Sequence, residues 1–187
     1  MLKAYYPYKY SGSVFSVDYE KLRDRGIKGI IFDIDNTLVH HGDDSTPLVD
    51  SFIKRLEDMG LKIVFLTNND RERVERFNAN IGAPFVCDAE KPDVKGYIKA
   101  LEILGLEKHE AVVVGDQMFV DIVGANRAGI PSILVHFIVT PGEKWLGAKR
   151  YAEMIVLWFF RRNKKLRYRL GNVGKEEQTW QEETFAR

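Results

Sequence analysis

The sequence predicts an α/β fold built on a doubly wound parallel sheet. From Ser16 onward, helical patterns alternate with short runs rich in Val, Ile and Phe. These runs lack polar alternation, so we expect both faces of the sheet to be covered by helices joined through right-handed crossovers. Glycine is the residue most common just past a helix C-terminus. It marks the ends of four predicted helices, at Gly60, Gly82, Gly105 and Gly129.

The predicted elements follow one another with short connections. Thr46-Pro47 marks a helix start, because a capping hydroxyl precedes a proline at the first helical position. Helix periodicity and β-rich composition predict helices at 17–25, 47–59, 71–81, 93–104 and 119–128, and strands at 27–33, 62–67, 84–87, 111–115 and 132–135. The intervals after the first two strands hold one helix and one strand each, which leaves no room for an inserted cap domain.

Composition is that of an ordinary soluble globular protein. The chain has 187 residues, of which 45% are hydrophobic and 29% charged, with a net charge of +1. This balance makes no case for a nucleic-acid partner. Cys87, the only cysteine, cannot form an internal disulfide, and no apolar run approaches the ~20 residues that cross a bilayer. We expect a cytoplasmic location.

An acidic pair ends the first predicted strand. The run Ile30-Ile31-Phe32 leads directly into Asp33-Ile34-Asp35-Asn36-Thr37. Side chains two apart on a strand point to the same side, so Asp33 and Asp35 project together from the edge where open α/β sheets bind ligands. Two carboxylates held close together require a cation, a shared proton or a basic neighbour.

Three further signals follow at or just beyond later strands. The second is Thr67-Asn68-Asn69, whose hydroxyl and amides suit an anionic oxygen, and the third is the cation Lys91. The fourth is Gly115-Asp116-Gln117, with Asp121 shortly afterwards. Each signal alone is unspecific. Their order, and their placement at one sheet edge, predict a single site.

The chemistry of this set points to phosphoryl transfer. Asp33, Asp35 and Asp116 offer hard oxygen ligands, which favours Mg²⁺ over zinc. Asp33, at the strand end, is best placed to attack phosphorus, and Asp35 to act as general acid and base. The phosphoryl oxygens are expected to be bound by Thr67, Asn68 and Lys91.

The four signals resemble the four motifs of the haloacid dehalogenase (HAD) superfamily, and within it the YqeG family of subfamily IIIA phosphatases, related to phosphatidylglycerophosphate phosphatases. The similarity extends from about Gly26 to Val135. It implies a Rossmann-like fold, the main-chain carbonyl of Asp35 as an additional metal ligand, and a water-mediated or supporting role for Asp121. Val120 departs from the pattern, since a polar residue is expected there.

Residues 1–140 are thus predicted to form the phosphatase core, and 141–187 a C-terminal extension of the same domain. One long amphipathic helix is expected over Glu143–Arg169, ending in a basic cluster. It either packs on the sheet or lies on a membrane whose anionic lipids meet its cations. The membrane-facing residues would then be Trp158, Phe159, Arg161, Arg162, Lys164 and Lys165.

The predicted activity is Mg²⁺-dependent hydrolysis of a phosphomonoester, with a phosphorylated lipid head group, phosphatidylglycerophosphate, as the first candidate substrate and a peripheral position on the inner membrane face. Alternatives are a soluble phosphometabolite or phosphoprotein as substrate, a phosphoacceptor switch, or a non-catalytic protein that binds nucleic acid or ribosomes. Oligomeric state stays open. His136, in an apolar run, is expected in the core.

Overall fold

The computed structural model describes residues 2–138, 147–163, 166 and 169–174, and within them a six-stranded parallel sheet forms the centre of the molecule. The strands are β1 (Lys9–Ser11), β2 (Gly29–Phe32), β3 (Lys62–Leu66), β4 (Phe85–Val86), β5 (Ala111–Gly115) and β6 (Ser132–Val135). Their order is β1-β6-β5-β2-β3-β4. The chain proceeds outward in opposite directions from β2 and β5, so the crevice between their carboxyl ends is the usual ligand site of such sheets.

Helices cover both faces of the sheet, which confirms the predicted fold class. They are α1 (Tyr19–Asp24), α2 (Pro47–Asp58), α3 (Arg71–Asn78), α4 (Val94–Leu104), α5 (Val123–Ala128) and α6 (Gly147–Arg162). Side-chain oxygens accept hydrogen bonds from backbone N–H groups at four helix starts, as N-caps do; these are Asp18, Thr46, Asp70 and Asp93. Between β2 and β3, and between β3 and β4, the chain contains one helix each and no cap domain.

The core consists of two apolar layers on opposite faces of the sheet. In β2, Ile31 and Phe32 point in opposite directions because side chains alternate along a strand. Phe32 packs with Phe65 and Phe77 in the layer under α2 and α3. Ile31 packs with Tyr97 in the layer under α4 and α5. All four residues of β2 are buried, which explains why its sequence is apolar throughout.

Three local predictions were wrong. β1 was not predicted, because Lys9–Ser11 has no apolar run and becomes a strand only by pairing with β6. The predicted helix over 119–128 starts as a π-helical turn over Met118–Ile122 and becomes α-helical at Val123. The long C-terminal helix ends at Arg162, where the Asn163 side chain instead accepts a hydrogen bond from the Leu166 N–H.

The described part of the C-terminal extension contacts the core. Phe160 of α6 is buried against Tyr6, with ring centroids 6.0 Å apart. Val173 is fully buried, and its carbonyl accepts a hydrogen bond of 2.8 Å from the Asp18 N–H. His136 is exposed and stacks on Phe137, so its predicted core position was wrong. In the described residues, no helix has the length and apolar character needed to cross a membrane.

Candidate active site

The strand register brings the predicted site residues to one edge of the sheet. Phe32 is aligned with Val114 of β5 and with Phe65 of β3. The next residue, Asp33, donates its N–H to the Val114 carbonyl at 2.9 Å, which extends the pairing past β2. Asp116 and Thr67 follow the ends of the two neighbouring strands, so both lie beside Asp33.

Both carboxylate oxygens of Asp33 have partners. Lys91 Nζ donates to Oδ1 at 2.6 Å, and the Thr37 hydroxyl donates to Oδ2 at 3.0 Å. Asp33 is only 6% exposed. Burial raises the pKa of this carboxyl, the Lys91 ammonium opposes the rise, and the net result is a pKa of about 6. Asp33 is therefore a rigidly held carboxylate whose charge depends on nearby cations.

Lys91 connects two acids inside the protein. Its Nζ also donates to Asp121 Oδ1 at 2.7 Å, and its side chain is 4% exposed. Burial alone would lower the pKa of Lys91, but the Asp121 and Asp33 carboxylates raise it well above the ordinary value. The ammonium is thus permanently charged at the centre of the site.

The Asn68 side chain holds the main chain of Lys91. Asn68 Oδ1 accepts from the Lys91 N–H at 2.6 Å, and Nδ2 donates to the Lys91 carbonyl at 3.2 Å. Both polar atoms of the Asn68 amide group are therefore engaged within the protein. Thr67 is buried next to it at the end of β3, and its hydroxyl accepts from the Asn69 N–H at 3.2 Å.

Three buried carboxylates form a cluster that fits a divalent cation. Asp33, Asp116 and Asp121 each offer an oxygen, and these atoms lie within 4.8 Å of one another. Asp33 and Asp121 share the Lys91 ammonium, and three carboxylates this close together are stabilised by further positive charge. An all-oxygen donor set of this kind suits Mg²⁺. Asp121, rather than the side chain of Asp35, completes the cluster.

Gly115 is required for the position of Asp121. A Cβ atom at residue 115 would lie 2.6 Å from the Asp121 Cβ, which is closer than real contacts allow. Asp121 Oδ2 accepts from the Gln117 N–H at 3.0 Å, so the π-helical turn folds this acid back toward Lys91. Such turns are frequent at functional sites.

Asp35 points away from the cluster and lies against α3. Its Oδ1 accepts from the Gly42 N–H at 2.9 Å and from Arg73 Nη2 at 3.0 Å, and its Oδ2 accepts from the Asn69 amide. Burial raises the pKa of Asp35, but the hydrogen bonds from Gly42, Arg73 and Asn69 outweigh it and lower the pKa overall. His41 lies at the rim, 3.7 Å from Oδ1.

Arg73 is the site residue that sequence reasoning missed. Its side chain is 11% exposed, and Nε and Nη1 are buried with no hydrogen-bond partner in the described part of the chain. The available signal was its position in the first turn of α3, a helix that begins at the same sheet edge shortly after Thr67. Its Nη2 donates to both the Asp35 carboxylate and the Asp43 carbonyl.

A cleft of about 670 Å³ extends from the acids along α6. Asp116 and Glu153 line one end, and Arg161 and Arg162 line the other. Glu153 is buried, and its Oε1 accepts from the Met118 N–H at 2.9 Å, which attaches α6 to the turn after Asp116. The outer side of α6 exposes a set of large apolar side chains, namely Tyr151, Met154, Ile155, Trp158 and Phe159. Lys164 and Lys165, also predicted at a membrane contact, lie outside the described residues.

Comparison with known proteins agrees with this geometry. The family model of haloacid dehalogenase-like hydrolases matches residues 42–129. The chain is 37% identical to "Probable phosphatase YqeG" of Bacillus subtilis over 137 residues, which are 72% of this chain and 80% of that protein. It is 26% identical to "Phosphatidylglycerophosphate phosphatase 1, chloroplastic" of Chlamydomonas reinhardtii, over 80% of this chain and 60% of the algal protein.

Among solved structures, the chain resembles an uncharacterized protein from Listeria monocytogenes serotype 4b. The TM-score is 0.50 at 22% identity, covering 73% of this chain and 100% of the other. At this level of identity the likeness concerns the fold, and it agrees with the parallel α/β architecture.

Proposed function

Because the chain belongs to the haloacid dehalogenase-like hydrolases and is a phosphatase, we propose that it hydrolyses a phosphomonoester through a phosphoryl group carried by Asp33. The observation that carries the proposal is the buried contact of 2.6 Å between Asp33 and Lys91, beside two further acids. Lys91 holds one carboxylate oxygen of Asp33 in place, and the positive charge of its ammonium attracts the phosphate to the same point.

In the first step, an Asp33 oxygen attacks phosphorus and the bond to the leaving alcohol oxygen breaks. Asp35 supplies the proton that the leaving alcohol oxygen takes up. In the second step, Asp35 takes a proton from water, whose oxygen attacks phosphorus and releases inorganic phosphate and the free Asp33 carboxylate. The lowered pKa of Asp35 means that it must exchange its contacts with Arg73 and Gly42 to act as an acid.

The metal ligands in this proposal are the carboxylates of Asp33 and Asp116 and the main-chain carbonyl of Asp35. Mg²⁺ bound there would neutralise charge on the carboxylates and on the incoming phosphate. Asp121 acts as a supporting acid, since both of its oxygens already accept hydrogen bonds, from Lys91 and from the Gln117 N–H.

Three groups around Asp33 are proposed to bind the phosphate oxygens. They are the Thr67 hydroxyl, the Asn68 backbone N–H and the Lys91 ammonium. The buried position of Thr67 and the hydrogen bonds between Asn68 and Lys91 support this role, because donors that do not reorganise stabilise transition-state charge best.

Phosphatidylglycerophosphate is the proposed substrate. The similarity to an algal enzyme named for that reaction supports it, as does the absence of a cap domain between β2 and β4. Peripheral membrane contact is part of the proposal. Its support is the exposed pair Trp158 and Phe159, 52% and 50% accessible, with Arg161 and Arg162 after the buried Phe160, since aromatic and basic side chains together favour anionic lipid surfaces.

The test is a hydrolysis assay with Mg²⁺ on phosphatidylglycerophosphate vesicles, sugar phosphates, nucleotides and p-nitrophenyl phosphate, using wild type, Asp33→Asn and Asp35→Asn. We expect hydrolysis of the lipid to exceed that of the soluble esters, and Asp33→Asn to remove all of it. Equal rates on soluble and lipid substrates would refute the lipid assignment. Full activity of Asp33→Asn would refute the mechanism.

A further inference from the structure

The cleft beside α6 is lined both by Asp116 of the candidate acid cluster and by a pair of arginines. One wall is formed by the end of β6, including Leu134 and Val135, and the other by Leu157 and Trp158 of α6. These walls are apolar, whereas both ends are charged. A ligand that fills the cleft therefore has polar groups at its two ends.

The positive end of the cleft is organised by aromatic rings. The Arg162 guanidinium carbon lies 3.3 Å from the centroid of the Trp158 ring, and that of Arg161 lies 5.1 Å from the Tyr10 ring. Stacking on rings restricts the orientation of the guanidinium groups. Two ordered guanidinium groups of this kind suit a phosphate oxygen.

We propose that this cleft is the specificity site of the enzyme, with Arg161 and Arg162 binding the phosphodiester of a phospholipid head group whose terminal phosphomonoester lies at Asp33. This inference rests on the proposed function. The inference goes beyond that function because it assigns recognition of the second phosphate to particular residues. An open site with no cap domain otherwise has few means of distinguishing one phosphomonoester from another.

The position of α6 separates the two charged parts of the cleft. Glu153, which contacts the turn after Asp116, and Arg161 are eight residues apart on α6, or about 12 Å along the helix axis. Long side chains on a helix lean toward its N-terminus, so the guanidinium groups reach back toward Asp116 and shorten this span. A ligand that reaches both therefore carries two polar groups joined by a spacer.

The outer surface of α6 supports a lipid rather than a soluble diphosphate as the natural ligand. Met154 and Trp158 line the cleft and are also 57% and 52% exposed. Exposed apolar groups at the mouth of a cleft suit acyl chains that stay in the bilayer while the head group enters. Charge at the two ends and apolar surface at the mouth match a phospholipid with a terminal phosphate.

The test separates recognition of the diester from attraction to a membrane. The substrates are deacylated phosphatidylglycerophosphate, which is soluble in water and keeps both phosphates, and glycerol 3-phosphate, which has only the monoester. For wild type, we expect kcat/KM to be higher for the first. In the double variant Arg161→Gln/Arg162→Gln, we expect the ratio of the two kcat/KM values to fall about 30-fold, mainly through KM, as for lost charge-assisted hydrogen bonds.

The matched control is Lys54→Gln/Lys99→Gln, which removes two charges from exposed positions on α2 and α4 that do not line the cleft. We expect it to behave as wild type. An unchanged ratio in the arginine variant would overturn the inference, even if its activity on vesicles fell, because the arginines would then serve membrane attraction only. An equal loss on both substrates would also overturn it.

Failure of the proposed function has a different signature. It would appear as no hydrolysis of either ester by wild type, or as full activity of Asp33→Asn. Hydrolysis of both esters at equal kcat/KM by wild type would leave the catalytic proposal intact and overturn only the specificity site.

Discussion

Arg73 Nη2 lies 3.0 Å from Asp35 Oδ1. This ion pair connects α3 to the acid that follows the central strand, β2. The two side chains are 11% and 12% exposed, so this ion pair is largely removed from solvent. Arg73 also donates to the Asp43 carbonyl at 2.7 Å and so holds the loop after Asp35. The pair keeps the proposed general acid in its ionised, outward position.

Arg73→Ala is expected to lower kcat about 10- to 100-fold, because Arg73 also holds the loop after Asp35, and an acid on a loosened segment meets the leaving oxygen less often. Loss of the guanidinium also removes one cause of the lowered Asp35 pKa, so the alkaline limb of the kcat/KM profile moves to higher pH. A pH-rate profile of the purified variant measures both effects. Arg71→Ala is the control, since Arg71 lies in the same turn of α3 and pairs with exposed Glu75; a similar loss there would contradict the assignment.

Lys91→Met is expected to abolish activity and to destabilise the protein by about 3–5 kcal/mol, since it leaves Asp33 and Asp121 buried without their cation. Urea denaturation without metal measures this loss. The double variant Lys91→Met/Asp121→Asn should regain part of the stability but none of the activity. Equal stability of the two variants would show that Asp121 and Lys91 are not energetically coupled.

Mg²⁺ is expected to stabilise the folded protein by about 2.7 kcal/mol when its concentration is one hundred times its Kd. Thermal unfolding with and without chelator measures this effect without any substrate. Asp116→Asn should remove most of the stabilisation, because it neutralises one member of the buried acid cluster. Asp70→Asn, which changes an N-cap outside the cluster, should keep it. A metal response that survives in Asp116→Asn would place the ion elsewhere.

Without metal, stability is expected to decrease as pH rises from about 4 to about 6. The pKa of Asp33 is raised from 3.8 to about 6 in the folded protein, chiefly by burial. Between these values the folded state binds more protons than the unfolded state, so the contribution of Asp33 is complete below pH 4 and is lost as pH passes 6. Denaturation midpoints in chelator across this range test the sign. The slope should be smaller in Asp33→Asn, and a steeper slope in that variant would contradict the cause.

Sequence reasoning predicted the position of a polar residue at the sheet edge where that residue directly follows a strand. Asp33, Thr67 and Asp116 each come at a strand end, and parallel strands bring their carboxyl ends to one edge. The same logic failed for Arg73, which lies in the first turn of a helix and looks in the sequence like any solvent-exposed cation. Its burial depends on how α3 packs against the loop after β2, which no local pattern encodes.

The sequence by itself determined the layered parallel fold, its central strand and the group of polar residues at its edge, because apolar periodicity and residue order follow from local chemistry. Only the tertiary structure decided that Asp121 completes the acid cluster, that Asp35 pairs with Arg73 and that β1 joins the sheet. It also decided that α6 ends at Arg162 and forms a cleft with β6. These features depend on contacts between residues distant in the chain, whose free energy arises only after the sheet has brought them together.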